Sequence, residues 1–80
     1  MTAEVRSLER WVNELESAIG AEGVTDARAI LELVREVAHR FDRPAGPLTA
    51  YLAGVAVGRG SHTFAEVAEV VESRLPAAAE

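Results

Sequence analysis

The chain contains no cysteine and no lysine, and among its 80 residues only one Trp, one Tyr and two Phe carry aromatic rings. Without cysteine there is no disulfide framework, no thiolate metal site and no sulfur redox chemistry beyond Met1, which fits a reducing cytoplasm. Without lysine a phosphate-cradling loop of the G-x-x-x-x-G-K type is excluded. Long apolar runs are missing as well. The longest is about half of the ~20 residues that a membrane-spanning helix needs, and the opening MTAEVRSLER lacks the apolar core of a signal peptide. The expectation is a soluble, cytoplasmic chain with no membrane partner. Positive charge is scarce too. A net charge of −5 and a pI near 5.0 disfavour nucleic acid as a partner. All eight basic residues are arginine, whose planar fork grips carboxylates and phosphates, so a local anion site stays open.

What is present is helical. The composition is 49% hydrophobic and dominated by Ala, Val, Leu and Glu. The segment Pro44 to Gly58, PAGPLTAYLAGVAVG, holds no charged residue although Arg43 and Arg59 frame it. It predicts a central helix, apolar nearly all round, that neighbours in the fold or a partner chain must cover. At 80 residues one core is all the chain can build. Folding would bury roughly 60–65% of the unfolded surface, and stability would be marginal.

Periodicity and punctuation predict one domain over 1–80, an all-α, compact bundle of four helices with the apolar third helix in the centre, and short connections that favour antiparallel neighbours. Helix one spans 1–20, with Val5, Leu8, Trp11, Val12, Leu15 and Ile19 in one stripe and Gly20 as its stop. Helix two spans 25–42, with Thr25 as N-cap and Ile30, Leu33, Val34, Val37 and Phe41 as its buried stripe. Glu32 and Glu36 find Arg35 and Arg40 at i+3 or i+4, pairs worth only about 0.2–0.5 kcal/mol when exposed. Helix three spans 47–58, with Pro47 at its first position and Gly58 and Gly60 closing it. Helix four spans 63–75 and opens on the capping box Thr63-Phe64-Ala65-Glu66. Phe64, Val67, Ala68, Val71 and Leu75 make its stripe, Glu66, Glu69 and Glu72 a solvated acidic face, and 76–80 a frayed tail.

In helix three, Leu48, Tyr51, Leu52 and Val55 share a large-residue face, while Ala50, Gly54 and Gly58 recur every four residues beside it. Small residues at that spacing let another helix approach, either helix one or two of the same chain or a homodimer or partner helix. Ala50, Gly54, Gly58 and Tyr51 are the candidate interaction surface. Trp11 is expected in the core, and the Tyr51 hydroxyl at the edge of the bundle, the alternative for either being a place in an exposed apolar patch.

The segment from Ala38 and His39 through Arg43, Pro44, Ala45, Gly46, Pro47, Leu48 and Thr49, followed by Leu52, Gly54, Ala56 and Gly58 and preceded by Trp11, resembles a small actinobacterial domain of unknown function. That family occurs alone and fused to molybdenum-cofactor guanylyltransferase-like proteins of molybdopterin-guanine dinucleotide synthesis. The resemblance implies an accessory or docking role beside a molybdenum-cofactor nucleotidyltransferase, with the transferase chemistry residing in the other domain. Gly46 stands where alanine is the commoner residue, a change expected to leave the loop intact.

The alternative is a small-ligand or anion site on the Arg43–Pro47 loop. There His39, Arg43, the Thr49 hydroxyl and the free N–H groups of helix three would surround a phosphate or carboxylate. Against it, Asp42 adjoins Arg43, and Pro47 removes one donor. The architectural reading has the Arg43 guanidinium capping the last carbonyls of helix two, and His39 and Arg40 favouring the negative end of its dipole. Ser61 and His62 are adjacent, a poor geometry for a nucleophile and its base, and Ser61 and Thr63 are better explained as turn and cap residues. A metal would need His39, His62 and a glutamate to meet by chance. No catalytic residue, metal or cofactor is expected.

Overall fold

The computed structural model describes residues 3–21, 23 and 26–77, with side chains from Ser7 onward. It is all-α, with helices α1 (Ala3–Ile19), α2 (Ala27–Arg40), α3 (Ala45–Gly58) and α4 (Phe64–Arg74), and no strand among the described residues. The expected all-α bundle of four helices is the fold observed, but its apolar third helix is not covered all round, Leu48, Tyr51 and Leu52 being exposed. α3 packs against both α2 and α4, and α1 makes no packing of that extent.

The helix ends are set by local chemistry. Gly20, at φ +75°, takes the left-handed conformation that stops α1, and Ala21 N–H donates back to the Glu16 carbonyl at 2.8 Å. The N-cap of α2 is Asp26, whose Oδ1 accepts from Ala29 N–H at 3.1 Å. This corrects the expected cap, Thr25, which lies outside the described residues together with Thr2 and the tail after Ala77. The side chain of Val5 lies outside them too. α3 begins two residues before the predicted start, so Pro47 is its third residue. Any position in the first turn lacks a helical partner for its N–H, so proline fits equally well there. Gly60, at φ +78°, closes α3, with Ser61 N–H donating to the Ala56 carbonyl at 3.2 Å. The capping box of α4 is complete, Glu66 N–H donating to Thr63 Oγ1 at 3.1 Å and Thr63 N–H to Glu66 Oε1 at 3.0 Å.

The core is thin. Among the described residues, its buried hydrophobic members are Leu33, Val37 and Ala53, and Gly46 is buried with them. The predicted stripe of α4 is half-buried throughout. Phe41, expected in the stripe of α2, instead follows the helix as its C-cap and is exposed. The Cα atoms fill a slab of 37 × 33 × 18 Å with a radius of gyration of 13.7 Å. A tightly packed 80-residue chain would give about 12 Å. The difference follows from the position of α1, which lies beside α2 across a cleft of about 740 Å³.

Candidate functional site

The packing of α3 is decided by its smallest residues. Gly46 and Ala53 turn inward, and a Cβ built on Gly46 would lie 2.9 Å from Val34 Cγ1 and 3.1 Å from the Val34 carbonyl oxygen. This corrects the expectation for Gly46. The residue is inside α3 and not in a loop, and its hydrogen side chain is what permits α2 to sit so near.

The opposite side of α3 is open. Leu48, Tyr51 and Leu52 are 64%, 71% and 65% exposed, with Pro47, Gly54 and Gly58 exposed alongside. A Cβ at Gly54 or Gly58 would meet nothing within 4 Å, so neither α1 nor α2 uses the small-residue face for close approach. Of the four residues named as an interaction surface, Ala50 is half-buried at the margin, and Tyr51, Gly54 and Gly58 stand in the open. The strip from Pro47 to Gly58 is about 16 Å long and carries no charge.

A second apolar surface lies on α1. Trp11 and Ile19 are 59% and 68% exposed, Leu8 and Leu15 are exposed as well, and only Val12 of the described stripe is half-buried. The helix turns Glu9, Val12, Asn13 and Glu16 toward α2, along with Leu8 at the border, which leaves Trp11 and Leu15 off to one side. The expectation of Trp11 as core fails because the apolar stripe is rotated away from the neighbouring helix.

At the Arg43–Pro47 loop, Ala45 N–H donates to the backbone oxygen and to Oδ1 of Asp42, each at 3.2 Å, and Gly46 N–H donates to the Arg43 carbonyl at 3.1 Å. Pro47 has no N–H. The first three positions of α3 therefore offer no free donor to an anion. Asp42 accepts from the first N–H of α3 and does not pair with Arg43, whose exposed guanidinium makes no hydrogen bond or ion pair among the described residues. The expected capping of α2 carbonyls by Arg43 is thus not formed. His39 is exposed on the polar side of α2. Thr49 is half-buried and lines a cleft of about 360 Å³ with Val37, Phe41, Val71 and Arg74. Neither His39 nor Arg43 lines that cleft or the one between α1 and α2.

Sequence reasoning gave Arg40 a local pair with Glu36 and a place at the dipole of helix two, and missed its tertiary role. Its Nη1 donates to Glu72 Oε2 on α4 at 2.6 Å and to Glu36 Oε1 at 3.4 Å, and its Nε donates to the Pro76 carbonyl at 2.8 Å. With its side chain only 14% exposed, Arg40 ties the ends of α2 and α4 together. The Glu72 hydrogen bond raises its already high pKa, so the cation persists at every working pH. Glu72, expected to be merely solvated, is one anchor of this staple. The i+4 spacing from Glu36 was legible, but the contact with Glu72, 32 positions away, had no local signal.

The Ser61 hydroxyl donates to the Ala56 carbonyl at 3.0 Å, and His62 is exposed. Among the described residues no three His, Asp or Glu side chains group to hold a metal, and no helix is long and apolar enough to cross a membrane. The family model described as Domain of unknown function (DUF6457) matches residues 3–80. Comparison with curated proteins and with solved structures gives no match.

Proposed function

The chain belongs to the DUF6457 family of domains of unknown function, and we propose that it is a non-enzymatic helical interaction module that docks through the outer side of α3. The observation that carries this reading is the exposure of Leu48, Tyr51 and Leu52 on a helix without a single charge. Contiguous apolar surface of this kind is rare on a monomer and marks docking sites. Burying a side chain such as Leu48 or Leu52 contributes about 1.5–3 kcal/mol, enough for a few residues to drive association. The engagement of the Ser61 hydroxyl with a backbone carbonyl supports the non-enzymatic part. The bonded N–H groups at the start of α3 give the anion-binding alternative no comparable support.

For the pathway we assign service beside a molybdenum-cofactor nucleotidyltransferase, on the strength of the resemblance carried by Ala38 to Thr49 alone. A photoactivatable phenylalanine analogue at Tyr51 is expected to cross-link to protein inside the cell, and the same group at His39 is not. Equal labelling at the two positions, or none at Tyr51, contradicts the docking reading. Sedimentation of the chain mixed with such a nucleotidyltransferase tests the pathway. A complex that disappears on Leu48→Glu is expected, and independent sedimentation removes the assignment.

A further inference from the structure

We infer that the occupant of the outer side of α3 is a second copy of this chain, with α1 of each protomer laid along α3 of the other. The inference rests on the docking reading above and names its partner.

The first support is area. The chain exposes 6429 Å², whereas a folded monomer of 8.5 kDa exposes roughly 4,700 Å² by the usual scaling. The surplus, roughly 1,800 Å² over the whole chain, exceeds the roughly 800 Å² that one partner of a standard complex buries, so it leaves room for an interface of that size.

The second support is that one chain carries two separate uncovered apolar faces. Trp11, Leu15 and Ile19 lie on α1, and Leu48, Tyr51 and Leu52 lie on α3. A foreign protein seated on α3 would leave the stripe of α1 in water. A two-fold exchange covers both faces at once, each by the other, which is the self-complementary condition of an isologous dimer. The lengths agree: the 17 residues of α1 span about 26 Å and the 14 residues of α3 about 21 Å.

Charge gives the third. Arg43 and Arg59 stand at the two ends of α3, exposed and without an ion pair among the described residues. Glu14, one turn from Trp11 on α1, is exposed and equally without one. Laying α1 on α3 brings this carboxylate to a rim that is locally cationic in a chain of net charge −5, which reduces the repulsion of two acidic protomers.

The test is light scattering of the full chain over a concentration series, read together with the emission of Trp11, the only tryptophan. The expected mass rises to twice 8.5 kDa, and the Trp11 emission moves to shorter wavelength in step with it. Leu52→Glu is expected to weaken dimerisation by about a hundredfold, because a carboxylate would be buried unpaired, while far-UV helicity matches that of the dilute parent. Should that variant not fold, Gly54→Leu replaces it, since a side chain there meets nothing within 4 Å in the single chain. A monomer at every concentration with solvent-exposed Trp11 emission overturns the second copy and leaves the docking reading standing. A monomer with buried Trp11 emission means that α1 closes on its own α3, and overturns both. A dimer whose formation leaves Trp11 unchanged overturns the pairing of α1 with α3.

Discussion

An added methyl group at position 46 meets a β-branched side chain with little rotamer freedom and a backbone oxygen. Gly46→Ala therefore pushes α2 and α3 apart, at a cost of roughly 1–3 kcal/mol that outweighs the gain of about 1 kcal/mol in helix propensity. Urea denaturation should show a lower midpoint for the variant, and an unchanged or higher one would refute the close approach. Arg40 makes the other prediction at this scale. Arg40→Gln removes the bonds to Glu72, Glu36 and the Pro76 carbonyl together, so it should lower the urea midpoint more than Glu72→Gln, which removes one. In 1 M salt the loss from Glu72→Gln should shrink, because the pair is partly solvated and screened. Equal losses at low and high salt would mean that the ion pair contributes nothing measurable. Neither residue could be weighed correctly from sequence. Gly46 sits between two prolines, where loop geometry is the default reading, and the meaning of Arg40 depends on a carboxylate brought in by the fold.

The helices themselves were legible because their signals are local. The apolar stripes of α2 and α4 recur at helical spacing, and Gly20 and the Thr63–Glu66 box mark ends that need no tertiary information. Thr63→Ala should cost about 0.5–2 kcal/mol and fray the first turn of α4. Amide exchange at Glu66, whose N–H donates to the Thr63 hydroxyl, reads this directly. Unchanged protection there would show that the box is not formed in solution. Boundaries blurred where two residues suit one role. Thr25 and Asp26 are both good caps, and a proline in the first turn fits at more than one position, which is how the start of α3 was placed two residues late. The stripe of α1 was equally visible, but a stripe says only that something apolar should cover it, not which helix does.

For the whole molecule, α3 is apolar on every side, so no hydrophobic pattern distinguishes its inner side from its outer one. The choice falls to packing. α2 lies against the small residues Gly46 and Ala53, and the large ones, Leu48, Tyr51 and Leu52, are left outside. A flat arrangement with a thin core follows, and with it two apolar faces that one chain does not bring together. The absence of cysteine allows a direct measurement, because Leu52→Cys places a single thiol on the outer side of α3. Its labelling rate should equal that of an unstructured peptide thiol at high dilution, and should fall about tenfold or more as dimer forms at higher concentration, in proportion to the dimer fraction. Slow labelling at every dilution would show that the chain covers this face by itself, and fast labelling at every concentration would show that no second copy reaches it.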